Sequence, residues 1–224
     1  MNGADVEMKF ADRRRLQALI DATPTGGELY LDPGRYDTAT VDRTMTIRGF
    51  DPEYVIIDGE NKSRGLTVTA PDVLLEGIAF ENGKSQNFQG GGGIYTIASG
   101  LVVSKCAFTN CHTSVVGGAI CAPSDIVGYR VTDSRFVGCE ATSEAHGGAL
   151  FNPREVLRCE FTDNAASGAG GAIFRARNAR IEDCTFVRNK SVAENVYDLD
   201  RISGGGAIAN VLGDYSVIVG CTFK

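Results

Sequence analysis

Residues 159–174, CEFTDNAASGAGGAIF, decide the fold. They set a phenylalanine two residues after a cysteine, an asparagine three after the phenylalanine, then a Gly-Gly pair ahead of Ala-Ile. The phrase returns as CAFTNCHTSVVGGAIC from Cys106, as SRFVGCEATSEAHGGALF from Ser134, and as CTFVRNK followed by SGGGAIA from Cys184. With phenylalanine as the ruler, Phe80, Phe108, Phe136, Phe161, Phe186 and Phe223 stand 28, 28, 25, 25 and 37 residues apart. A period of that size marks a solenoid.

Two apolar columns accompany the phenylalanines. Two residues before each stands Ile78, Cys106, Ser134, Cys159, Cys184 or Cys221, and five before stands Leu75, Val103, Val131, Val156, Ile181 or Ile218. The first shares a strand face with Phe, whereas a step of three to the second breaks the period of two. A bend is therefore due near Gly77, Lys105, Asp133, Arg158, Asp183 and Gly220. Beyond Phe comes a polar slot, Cys111, Cys139, Asn164 and Asn189, with Asn82 one position early. Asparagine there suits a bend, because it tolerates the left-handed conformation. Each Gly-Gly pair then leads into Ile94, Ile120, Leu150, Ile173 or Ile208.

Each unit thus holds two or three short strands joined by tight bends. No segment between copies has the 3.6-residue apolar period of a crossover helix. The expectation is an all-β, right-handed parallel β-helix, with equivalent strands stacked about 4.8 Å apart and like residues in ladders. A leucine-rich-repeat horseshoe would need closer leucines and a helical half-repeat. At the front, DRRRLQALIDATPTGG predicts a capping α-helix over 12–22, with Asp12 as its cap and Leu16, Leu19 and Ile20 on one face. Coils fill 28–224, in one domain. The final CTFK is in phase with CTFV at Cys184, where another polar slot and Gly-Gly pair are due. The expectation is a longer protein cut at this point, or an open end that docks end to end on another chain.

The totals narrow the function classes. The chain has 224 residues, 43% hydrophobic and 22% charged, with net charge −6, which suits a globular or repetitive chain able to bury a core. Its only basic cluster is Arg13-Arg14-Arg15, so nucleic acid is excluded as a partner class. No apolar run has the length of a signal peptide or a membrane span. Seven cysteines is odd, and no pair has zinc-finger spacing. Cys106, Cys159, Cys184 and Cys221 share a core column and read as small buried residues with free thiols. Cys111 and Cys139, on consecutive coils, stand where they could bond.

These phrases resemble known families. The columns resemble right-handed β-helix proteins of the pectin-lyase-like fold, and the GGA(I/L) and FxxN phrases resemble the repeats of polymorphic outer membrane proteins and related bacterial surface proteins. The complete matches are Phe161 to Asn164 with Gly170 to Ile173, and Phe186 to Asn189 with Gly205 to Ile208. The N-terminal segment through Gly59 also resembles the opening of many such proteins. The resemblance implies an extracellular or cell-surface setting, often adhesive. The architecture also hosts polysaccharide lyases and hydrolases, so fold alone does not assign an activity.

A lyase needs a cation and a base, and a galacturonan hydrolase needs carboxylates on adjacent coils. Asp133 and Asp183 share a slot, but Arg158 stands between them. His146 precedes a Gly-Gly pair in a column of small residues, and reads as a turn residue. His112 supports no triad.

The long final unit is the best local anomaly, because solenoid insertions land as loops that carry binding sites. It groups Glu194, Tyr197, Asp198, Asp200 and Arg201. Glu194, Asp198 and Asp200 offer oxygen ligands to calcium, the one cofactor the chain points to, without the spacing of an EF-hand. A solvated acidic loop is the plain reading. Asn87, Phe88 and Gln89 form a second insertion-like stretch. Tyr95, Phe151 and Phe174 follow the isoleucine column and turn outward, where they could stack on sugar rings with Tyr197 and Arg201 nearby. In the competing reading each ring is covered by its own turn.

Two functions remain. One is a non-catalytic bacterial surface or secreted scaffold that binds a polysaccharide or protein. The other is a carbohydrate-active enzyme, a polysaccharide lyase or glycoside hydrolase.

Overall fold

The computed structural model describes residues 13–85, 88–143, 145–192, 205–209 and 215–224. Every sheet pairing in it is parallel, and the strands form a β-solenoid of about six turns with one short helix. One coil shows the plan: Val102–Ser104, Ala107–Thr109, His112–Thr113 and Ile120–Cys121 are four strands on four faces. Equivalent strands of successive coils pair into a first sheet of eight strands, a second of eight, a third of five and a fourth of seven, counted among the described residues.

The registers match the columns residue for residue. Leu75, Val103, Val131, Val156, Ile181 and Ile218 pair in sequence along the first sheet. Phe80, Phe108, Phe136, Phe161, Phe186 and Phe223 do so along the second. Their rings stack with centroids 4.8–4.9 Å apart and planes within 9° of parallel. That distance is the spacing between strands, so the ring column follows from the backbone ladder rather than from ring–ring preference. The isoleucine column runs along the fourth sheet from Ile94 to Ile208. All three columns meet in one continuous core.

The bend between the first and second sheets is a single left-handed residue. Gly77, Lys105, Asp133, Arg158, Asp183 and Gly220 have φ between +51° and +68°. The second bend differs from the expectation. The left-handed residue is the one before the polar slot, namely Asn82, Asn110, Gly138, Asp163 and Arg188. That bend turns the slot residue inward. Asn164 is wholly buried: its Nδ2 donates to the Phe136 carbonyl (3.0 Å) and to Asn189 Oδ1 (2.8 Å), and its Oδ1 accepts from the Cys139 amide (2.9 Å). The slot is an internal hydrogen-bond ladder, because a buried backbone carbonyl near a corner needs a donor.

The unit has four strands rather than two or three. The extra strand is only two residues long, as in His112–Thr113 and Ala165–Ala166, too short to show alternation. All seven cysteines are free thiols, Cys111 and Cys139 included. Cys111 Sγ donates to the Phe80 carbonyl (3.6 Å) and Cys139 Sγ to the Phe108 carbonyl (3.7 Å), so a thiol replaces the asparagine amide in the same ladder.

At the front, the helix spans Leu16–Ala22, with Leu16 and Ile20 in the core, whereas Leu19, expected on the same face, is exposed. Asp12 lies outside the described residues. The Leu16 amide donates to Asp37 Oδ1 (2.7 Å), so the first coil supplies the helix with a cap. In the last coil, Ile218 and Phe223 continue the core columns and are 43% and 54% exposed.

Candidate functional site

The outer face of the fourth sheet carries a cleft of about 500 Å³. Its floor is Tyr95, Cys121 and Phe151, register partners on three successive coils. Phe88, 99% exposed, and Gln89 form one wall, while Pro123, Ser124 and Asp125 form the other.

Both walls are anchored. Arg64 lies over the Tyr95 ring at 4.8 Å and donates to the carbonyls of Gln89, Gly90 and Gly91 at 2.8–3.1 Å, which pins that turn to the sheet. Burial lowers the pKa of Arg64 from its ordinary value, and the ring face and carbonyls compensate the charge. On the opposite wall, Asn152 Nδ2 donates to the carbonyls of Pro123 (2.8 Å) and Ile126 (3.2 Å). Asn152 holds φ +59°, a conformation asparagine accepts more readily than most residues. The buried Tyr129 hydroxyl donates to the Ile120 carbonyl (3.0 Å), tying the loop's exit to the sheet. A cleft held this way is largely formed before any ligand arrives.

Tyr95, Phe151 and Phe174 do turn away from the main core, yet they are only 5–8% exposed. Together with Cys121 and Ala169 they form a second apolar cluster beneath the Gly-Gly turns. The open aromatic groove is therefore corrected: the turns fold over the rings. Tyr95 and Phe151 still show an edge to the cleft, whereas Phe174 is packed between Phe151, at 6.0 Å, and the His146 ring, at 4.3 Å. His146 Nδ1 accepts from the Ala169 amide (2.8 Å), so His146 is part of the cover. Burial lowers its pKa below the ordinary 6.5. Burial also pushes the Cys121 thiol up to about 12, which removes it as a nucleophile at neutral pH.

In the first bend column Asp133 is paired, and at the second bend so is Asp163. Arg158 makes two bonds to Asp133, at 2.7 and 2.9 Å, and Arg188 makes two to Asp163, each 2.7 Å. These guanidinium groups hold the Asp133 and Asp163 carboxyls below the usual range. His112 faces Glu140 on the next coil at 3.6 Å.

One constellation escaped the sequence reading. Asp58 and Glu81 are register partners on adjacent coils of the second sheet, and both accept from Arg35 Nη2, at 2.9 and 2.6 Å. The signal was Asp58 following Ile57, which shares the phenylalanine column with Tyr36 and Phe80. A ruler built on phenylalanine passes over that coil. Glu194, Tyr197, Asp198, Asp200, Arg201 and Asn87 lie outside the described residues. Among the described residues no group of three or more His, Cys, Asp and Glu side chains could hold a metal ion, and no helix is long and apolar enough to cross a membrane.

Residues 158–174 match the model of the Chlamydia polymorphic membrane protein repeat. No curated protein and no solved structure matches the chain. The matched segment contains one full set of column residues, Cys159, Phe161, Asn164, Gly170 and Ile173, whose places in the coil are described above. The chain carries a polymorphic membrane protein-type repeat within a parallel β-solenoid, a combination that fits a surface-exposed β-helix protein.

Proposed function

We propose that the chain is a non-catalytic β-helix domain of a bacterial surface or secreted protein, a scaffold that binds a carbohydrate or protein partner through the fourth-sheet cleft. The observation that carries this reading is the anchored cleft itself. An exposed Phe88 stands opposite Asp125 and Ser124, above the edges of Tyr95 and Phe151. An aromatic surface beside fixed polar groups is the usual composition of a small-ligand site. The net charge of −6 favours neutral partners over polyanions. The bidentate pairing of Asp133 and Asp163 with arginines supports a scaffold role for those corners.

The test is a glycan array together with a protein pull-down from host-cell surface extracts. Phe88→Ala, which removes an exposed ring, should reduce capture at least tenfold and leave thermal stability unchanged. Undiminished capture would remove the cleft from the reading.

The second reading, a polysaccharide lyase or glycoside hydrolase, is favoured by the Asp58–Arg35–Glu81 group on adjacent coils. Incubation with acidic and neutral polysaccharides, with and without calcium, tests it by the release of new reducing or unsaturated ends. Calcium at Glu194, Asp198 and Asp200 belongs to either reading. It predicts a calcium-dependent rise in melting temperature that chelator reverses and Asp198→Asn with Asp200→Asn abolishes.

A further inference from the structure

The corner between the first and second sheets carries charged side chains along its middle and glycine at both ends. Lys105, Asp133, Arg158 and Asp183 occupy successive coils, and the aligned positions of the two preceding coils are Gly49 and Gly77. The corner admits little else. A side chain at residue 49 would strike the Gly77 carbonyl oxygen at 2.3 Å, and Gly77 holds φ +68°. Gly49, half-buried, and Gly77, buried, line a cleft of about 420 Å³. That size lies within the roughly 300–1,000 Å³ of small-ligand sites.

Two aromatic rings wall this cleft, and both stand in water. Tyr30 is 67% exposed and Phe50 is 84% exposed. Each is held in place. The Tyr30 hydroxyl donates to Glu28 Oε2 (2.6 Å). The turn after Phe50 is tied by Asp51, whose Oδ1 accepts from the Glu53 amide (2.8 Å) and whose carbonyl accepts from the Tyr54 and Val55 amides (3.0 and 3.1 Å). Beside Tyr30, on the next two strands of the first sheet, runs a row of ion pairs: Arg48 pairs with Glu76 and Glu28, and Lys105 Nζ pairs with Glu76 at 2.9 Å. The lining holds both planar hydrogen-bonding groups and apolar ring faces.

We infer that this corner cleft is a subsite for a neutral saccharide. A sugar ring offers an apolar C–H face to Tyr30 and Phe50, and hydroxyl pairs that match the forked donors and acceptors of Arg48 and Glu76. The charged residues that line the cleft, Arg48 and Lys105 against Asp51 and Glu76, balance, and both cations are already paired with Glu76, so a uronate carboxylate finds no unpaired cation among them. An apolar peptide would take water from the paired charges of Arg48, Glu76 and Lys105 and return no hydrogen bond. The site lies on a different corner from the fourth-sheet cleft, so either can fail without the other.

The experiment is saturation-transfer NMR and calorimetry with cello-, malto- and chito-oligosaccharides, with oligogalacturonate as the acidic control. Tyr30→Ala, Phe50→Ala and Phe50→Trp are compared with the parent chain, and Phe88→Ala controls for the other cleft. The expected result is binding of a neutral oligomer that falls at least tenfold in Tyr30→Ala and in Phe50→Ala. It should persist in Phe50→Trp and in Phe88→Ala, with melting temperatures unchanged throughout. No neutral binding, preference for oligogalacturonate, or binding insensitive to Phe50→Ala overturns the inference.

Discussion

At the scale of single residues, the polar slot after each phenylalanine carries more than a turn. Asn164 satisfies a carbonyl and an amide of the preceding coil, at Phe136 and Cys139, and a side chain of the following coil, Asn189. Asn164→Leu keeps the volume and strands those groups, at about 1–3 kcal/mol for each orphan. Asn164→Cys leaves a thiol able to bond the Phe136 carbonyl, as Cys139 does one coil earlier. Urea unfolding should therefore rank parent above Asn164→Cys, and Asn164→Cys above Asn164→Leu by at least about 1 kcal/mol. Equal losses would mean that the ladder acts only through packing.

His146 makes a pH-dependent contribution. Its folded pKa lies below the ordinary 6.5, because burial against Phe174 disfavours the imidazolium and Nδ1 is already an acceptor. Above pH 6.5 both folded and unfolded chains hold it neutral, and its contribution is complete. As pH falls from 6.5 through the lower folded value, the unfolded chain takes the proton first and stability is lost. Melting temperatures of the parent should drop more steeply below pH 6.5 than those of His146→Gln. Parallel curves would show that His146 plays no part.

At the scale of elements, the phenylalanine column behaves as a single packed object. Phe161 is fully buried with rings 4.8 Å above and below it, so Phe161→Ala opens a cavity that two neighbouring strands cannot close. The expected loss is about 3–5 kcal/mol by denaturant titration. A loss under 1 kcal/mol would mean that the stack relaxes as a whole.

The same element shows why much of the fold was legible. Stacked coils place identical positions one above another, so columns in the alignment of repeats are columns in space. Gly77, Lys105, Asp133 and Arg158 could be named as one bend before any coordinates. The two-residue strands could not, because His112–Thr113 shows no alternation. The cover over Tyr95 and Phe174 was equally hidden, since alternation says which way a ring leaves the strand and nothing about what folds over it. Asp58 with Glu81 was missed because its coil carries isoleucine where the others carry phenylalanine.

At the scale of the whole molecule, each coil touches only the coils on either side, so stability is a sum of units and interfaces rather than the property of a central nucleus. The clefts are distributed in the same way. The charged residues at the corners neutralise one another along the axis, and the two clefts open where that regularity is interrupted, at Gly77 and at the turn bearing Phe88. Binding sites can thus differ between coils while the core columns stay constant.

Two successive coils share a length of 25 residues. Asp133 and Arg158, like Asp163 and Arg188, meet across one coil at a separation of 25 residues. Deleting residues 159–183 joins Arg158 to Cys184 and sets Phe186 on Phe136, with Asn189 beneath Cys139. Such a variant should fold, with cooperative unfolding and a modestly lower melting temperature. Removing Cys159 alone should cost far more stability, because it breaks the register of the bend at Arg158 with Phe161 inside the coil, where no loop can absorb the missing residue. Within strands and bends such a chain gains or loses length in whole coils, while its loops absorb the difference between coils of 25, 28 and 37 residues.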